Sequence, residues 1–138
     1  MGDQVKLYVD LPGFYNPSEL FVSDRPDIAL IVNGIVYVLE LTCCHELNLA
    51  ASKNYKREKY KNLTLVSNIN HNIKVFTIEV SSIGFVQSRG LLALCKDIKI
   101  ELSDTAIQKL GEMSLRCSFF IFCNRHKPWP ANITDPVF

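Results

Sequence analysis

The chain has almost no charge of either sign to spare: fifteen Lys and Arg against fourteen Asp and Glu leave a formal net charge of +1 over 138 residues. A chain so balanced has no whole-molecule electrostatic footprint for nucleic acid, so any such surface must come from local clustering. No apolar run approaches the roughly 20 residues that a membrane-spanning helix needs, and the N-terminus lacks the charged-then-apolar layout of a signal peptide. Five cysteines make an odd count without a Cys-X-X-Cys pair, which argues for a reduced intracellular compartment rather than a disulfide framework. The sequons Asn62-Leu63-Thr64 and Asn132-Ile133-Thr134 are then chance matches. There is no internal repeat and no low-complexity linker, and Ser81-Ser82-Ile83-Gly84 lacks the lysine of a phosphate loop. What remains is an ordinary globular composition, 48% hydrophobic and 21% charged, long enough to close one core as a single domain over 1–138.

The informative stretch is Arg25-Pro26-Asp27 through Glu40-Leu41-Thr42. Two β-rich apolar runs flank Asn33-Gly34, the strongest short hairpin signal, because a type I′ turn needs positive φ at both central residues. Cross-strand partners in such a hairpin have residue numbers with a constant sum. Asp27 and Glu40 share the sum of Asn33 and Gly34, so they are expected opposite one another on one face, with Cβ atoms about 4.5–5.5 Å apart. Like charges so placed are destabilising unless something neutralises them, and a divalent metal ion is the natural candidate. The plainer reading leaves Asp27 at a loop end and Glu40 as a paired charge on an exposed face. Arg25, opposite Thr42 in the same register, is expected either to orient Glu40, to contact a phosphate, or to form a structural salt bridge.

Around this hairpin the pattern predicts an α/β layout, a small mixed sheet flanked by helices. Residues 1–24 are irregular apart from a short strand near Val5–Val9. The hairpin spans about 26–43, and Asn48 caps a helix to about Leu63. A third strand covers Ile73–Val80, a second helix Phe85–Lys96 beyond Gly84, and a long helix runs from Thr105 to Arg125, stopping before Pro128-Trp129-Pro130. The motif-bearing core is thus 25–85, with C-terminal helices over 86–138. In the first helix Leu49, Lys53, Lys56, Tyr60 and Leu63 fall in one stripe about 80° wide. Lysines are normally excluded from a sheet-facing stripe. Either their stems pack and their ammonium groups snorkel, or one ammonium points at the Asp27–Glu40 pair. Lys59, Lys61 and Arg57 lie off the stripe and read as a solvated basic face.

Arg25-Pro26-Asp27, then Glu40-Leu41-Thr42, then Lys56-X-X-Lys59-Tyr60 resembles the restriction-endonuclease-like nuclease superfamily, and within it the endonuclease domain of non-LTR retrotransposons. The segment Arg116–Phe122 also looks like the last helix of transposon-derived proteins with this domain. The resemblance implies metal-dependent hydrolysis of DNA phosphodiesters, with a nuclear site of action. Asp27 and Glu40 become metal ligands, with the Leu41 carbonyl a third, for Mg²⁺ or Mn²⁺. Thr42 stands where the superfamily usually has lysine. The resemblance lets the following helix supply that group, Lys56 first and Lys53 second, with Arg25, Thr42, Lys59 and Tyr60 toward the substrate. The superfamily's usual helix before the first catalytic strand is not evident in 1–24. A catalytically decayed relative that binds nucleic acid or protein is therefore the alternative. A homodimer or a parent polyprotein is compatible with either.

Other chemistries find less support. Cys43-Cys44-His45 alternate between faces of a strand and cannot easily share a zinc ion. Cys117 and Cys123 read as packing, and His45, His71 and His126 are too scattered to serve a cysteine nucleophile. Phe119–Phe122 is too short for a membrane and suits a helix buried against the sheet or a partner. Alternation leaves Glu79 free to face either the site or solvent.

Overall fold

The computed structural model describes residues 5–67 and 72–128. Its strands are β1 (Lys6–Val9), β2 (Ile28–Val32), β3 (Ile35–Cys44), β4 (Asn72–Ser81) and β5 (Val86–Gln87). The helices are α1 (Leu49–Lys59), α2 (Arg89–Asp97) and α3 (Asp104–Asn124). The five strands form one sheet in chain order, antiparallel throughout except for the parallel β3–β4 pair. That pair requires a crossover, and α1 provides it. The α/β layout expected from the sequence is the one observed.

Asn33 and Gly34 both take positive φ, 50° and 75°, and the ladder pairs Val32 with Ile35 through Ile28 with Leu39. This is the register the turn predicts, one step short of Asp27 and Glu40. Alternation then divides the hydrophobic residues between two faces. Val36 and Val38 pack with Tyr8, Phe21, Ala29 and Leu65. Tyr37 and Leu39 pack with Ile78, Val80 and Leu94 of α2.

Two boundaries and one expected burial differ from the sequence reading. α1 ends at Lys59 rather than near Leu63, because the chain beyond Tyr60 leaves to bond with residues 20–22: Val22 N–H donates to the Thr64 carbonyl and Val66 N–H to that of Leu20. The expected second helix begins only at Arg89, and Val86 and Gln87 within its expected span are instead strand. Gly84 at φ 96° turns the chain so that Val86 and Gln87 pair with Val80 and Glu79. The apolar run Phe119–Phe122 is not buried against the sheet, being 40–66% exposed. α3 meets the sheet through its first half, where Ser114 donates to the Ser81 carbonyl at 2.7 Å and Gly111 lies against Gly84. Ser103 caps that helix through the Ala106 amide. Residues 68–71, the tail beyond Pro128 and the Asn132 sequon lie outside the described residues. No helix among the described residues is long and apolar enough to cross a membrane, and their five cysteines are all free.

Candidate active site

Asp27 and Glu40 meet where β2 has not yet begun and β3 has passed its partner. The two carboxylates are held crosswise. Asp27 N–H donates to Glu40 Oε1 at 2.8 Å, and Leu41 N–H donates to Asp27 Oδ2 at 2.9 Å. Each acid thus takes a main-chain amide of the opposite strand, which offsets part of their mutual repulsion. Glu40 is fully buried, and Lys56 Nζ donates to its Oε2 at 2.7 Å. Of the two lysines on the inward stripe of α1, Lys56 is the one that reaches the acids.

The electrostatics follow from burial. Loss of water pushes the Glu40 carboxyl above its ordinary pKa, and the hydrogen bonds from Lys56 and the Asp27 amide only partly counter that. Burial acts to lower the pKa of the Lys56 ammonium. The Glu40 hydrogen bond and the charges of Glu40 and Asp27 outweigh it, so the ammonium stays protonated above its ordinary range. Neutral pH therefore finds Lys56 as a fixed cation against the paired acids.

The remaining sequence-predicted residues take distinct places. Tyr60 is buried, and its hydroxyl donates to the Arg25 carbonyl at 3.4 Å. It braces the Arg-Pro-Asp turn from inside, and burial raises its phenol pKa. Arg25 itself pairs with Asp10, the salt-bridge option of the three. Lys59 lies over the Tyr60 ring at 4.9 Å and is exposed. Thr42 shares the face of Glu40, two residues further along β3, beside Glu79 of β4. Lys53 makes no ion pair with the acids and lines a separate cleft.

Glu79 was not resolved by alternation alone. β4 runs parallel to β3 with Thr77 beside Glu40 and Glu79 beside Thr42, so Glu79 lies on the acid face. It is 1% exposed, and neither carboxylate oxygen has a hydrogen-bond partner among the described residues. The parallel pairing that fixes its direction is a non-local event without a signal in the sequence.

The donor set suits a hard divalent ion of the Mg²⁺ type. No three His, Cys, Asp or Glu side chains converge among the described residues, which excludes an all-side-chain cage there. A Mg²⁺-like ion is ordinarily held by one or two carboxylates, with waters and substrate oxygens completing the shell. Each carboxylate of the pair keeps unused lone pairs, since two oxygens offer about four acceptor sites. The Leu41 amide faces the Asp27 side, and the N–H and C=O of one strand residue face the same edge. The Leu41 carbonyl is thereby directed to the same side as the acids.

No protein-family model matches the sequence, and no curated protein matches it. The fold is similar to a solved structure described as "Structure and function of phenuiviridae cap snatching endonucleases", with a TM-score of 0.51 and 22% identity over 73% of this chain. The chain spans 45% of the length of that protein. The likeness is one of fold alone; in this chain that fold is a five-stranded mixed sheet flanked by helices.

Proposed function

We propose that this domain is a metal-dependent endonuclease that hydrolyses nucleic-acid phosphodiesters. One observation carries the reading: a protonated lysine from the crossover helix is seated on a fully buried glutamate, across a hairpin register from an aspartate. The fold likeness to a viral nuclease supports it. Asp27, Glu40 and the Leu41 carbonyl would hold Mg²⁺ or Mn²⁺, which when bound would supply activated water and charge stabilisation at the phosphorus. Lys56 places a fixed positive charge beside that point, where negative charge on the phosphoryl oxygens grows during attack. Tyr60 keeps the Asp27 turn in position from below. DNA is the substrate that the sequence motifs favour. The solved neighbour is named for cap snatching, so RNA belongs in the same assay. Origin in a retrotransposon rests on the motifs alone, whereas the fold likeness is to a viral enzyme.

The test is cleavage of plasmid DNA and of single-stranded DNA and RNA, with EDTA, Mg²⁺ or Mn²⁺. Cleavage confined to the metal-containing reactions is expected. Lys56→Met should lower it by roughly a hundredfold with affinity for nucleic acid retained, the pattern of a group that acts on the transition state. Absence of cleavage with every divalent ion would leave the second reading, a non-catalytic binding module. The observation favouring that reading is that both Glu40 oxygens already accept hydrogen bonds within the protein.

A further inference from the structure

β5 is only two residues long and covers β4 at Glu79 and Val80, so the outer edge of β4 before Glu79 has no strand beside it among the described residues. The first turn of α2 lies there instead. Gly90 approaches so closely that a Cβ would stand 1.8 Å from the Thr77 carbonyl oxygen. Only glycine fits this contact, and it brings the N-terminus of α2 down onto the sheet edge.

Between that terminus and α1 runs a cleft of 270 Å³, floored by Val75 and Thr77 and walled by Lys53, Arg57, Arg89 and Gly90. Every ionisable side chain lining it is a cation. None of the three forms an ion pair or a side-chain hydrogen bond among the described residues, although elsewhere Arg25, Lys56, Lys61 and Lys74 all find carboxylate partners. Arg89 also opens α2 with no acidic residue in the first turn. The helix dipole there favours an anion and disfavours a cation. Ser88 makes no side-chain cap to the free amides. Three positive charges without a carboxylate partner among the described residues and a helix start without a side-chain cap thus face one cleft. An anion placed there would be attracted by all of them together.

The cleft lies one strand away from the candidate active site. Thr77 on its floor is the strand neighbour of Glu40, about 4.8 Å away across the ladder. Arg57 is next in sequence to Lys56, and Lys53 is one turn before it. We propose that Lys53, Arg57 and Arg89 form a subsite for a backbone phosphate flanking the scissile one, so that a single strand crosses the β4 edge on its way to Asp27 and Glu40. This rests on the nuclease reading above. It assigns Lys53 to substrate positioning rather than to chemistry, and it gives Arg57 a role beyond that of a solvated charge.

The experiment measures binding of a fluorescein-labelled single-stranded oligonucleotide in EDTA, as a function of salt, with tripolyphosphate-induced thermal stabilisation as an independent probe of the cleft. Arg57→Gln/Arg89→Gln should weaken oligonucleotide binding by roughly tenfold at low salt and reduce the slope of log affinity against log salt by about 0.7 for each phosphate the protein no longer neutralises. Lys109→Gln, which removes a single charge from exposed α3, should do neither. Tripolyphosphate should raise the melting temperature of the wild type and not of the double variant. If the wild type binds the oligonucleotide and the double variant binds it equally well with an unchanged slope, the subsite is overturned while the nuclease reading stands. The charges then serve to block edge-to-edge strand pairing, and the double variant should aggregate. If the wild type binds no oligonucleotide either in EDTA or with Ca²⁺ in its place, the nuclease reading fails. Tripolyphosphate then decides the cleft alone: equal responses in the two proteins refute it.

Discussion

Lys56→Met isolates what the ammonium does for Glu40. Methionine keeps most of the stem's packing and deletes the charge. In the wild type the buried Glu40 carboxyl takes Lys56 at 2.7 Å and the Asp27 amide at 2.8 Å; in the variant only the amide remains. Removing one partner of a buried ion pair costs about 3–5 kcal/mol while the other stays charged. The Lys56 side chain is 22% exposed, so solvent already screens part of the pair and the lower end of that range applies. Protonation offers the carboxyl an escape, at about 1.36 kcal/mol for each pH unit above its pKa. The folded-state pKa of Glu40 already lies above its unfolded value, and losing Lys56 raises it further. Such a group binds more protons folded than unfolded. Stability therefore falls as pH rises from the ordinary glutamate range through the raised pKa. In EDTA the variant should stay close to the wild type near pH 5 and trail it by about 3 kcal/mol near pH 8, or about 10 °C in Tm. Thermal or urea unfolding at the two pH values measures this. An equal loss at both would refute the electrostatic account, because only the stem's packing would then matter. No loss at either would mean that the pair does not form in solution.

Asp27→Asn keeps an oxygen for the Leu41 amide and removes the like charge beside Glu40. It should raise metal-free Tm slightly and abolish the Tm gain on adding Mg²⁺ or Mn²⁺; an undiminished gain would exclude this metal site. Glu79→Met replaces a buried carboxylate with no partner among the described residues by an apolar side chain of similar size, and should raise the urea midpoint by the equivalent of about 1–3 kcal/mol. A loss instead would show that Glu79 is paired in solution. Gly90→Ala forces a methyl group against the Thr77 carbonyl and should cost about 1–3 kcal/mol or more, read as a lowered Tm.

The sequence was most legible where structure is local. Asn33-Gly34 sets the hairpin register by its own backbone preference, and that register alone puts Asp27 across from Glu40. The inward stripe of α1 brings Lys56 to the acids by helical spacing. What the sequence did not show depends on which strand lies beside which. Glu79 faces the acids because β4 pairs parallel to β3 residue for residue, and alternation leaves that choice open. Arg57 and Arg89 stand 32 positions apart in sequence, and the close seat of Gly90 on β4 brings Arg89 to the same cleft. The strand at Val86-Gln87 reads as helix until Gly84 is known to turn the chain back along Val80. The mutual bracing of Asp27 and Glu40 by each other's main-chain amides was hidden as well, since repulsion is visible in a sequence and its relief is not.

The register also accounts for threonine at position 42. A side chain there shares the face of Glu40 but stands beside Glu79, so a lysine at 42 would have as its nearest claimant a buried carboxylate with no partner among the described residues. An ammonium delivered from the helix layer avoids that competition. Lys56 descends on Glu40 from α1, while Tyr60, one turn on, fixes the helix end against the Arg25 carbonyl. Thr42 adds a short side chain under α1 and leaves that descent open. The crossover from β3 to β4 is obligatory for a parallel pair, so α1 must pass over this face in any case. Placing the cation on it requires only a residue at the right turn of a helix the fold already needs.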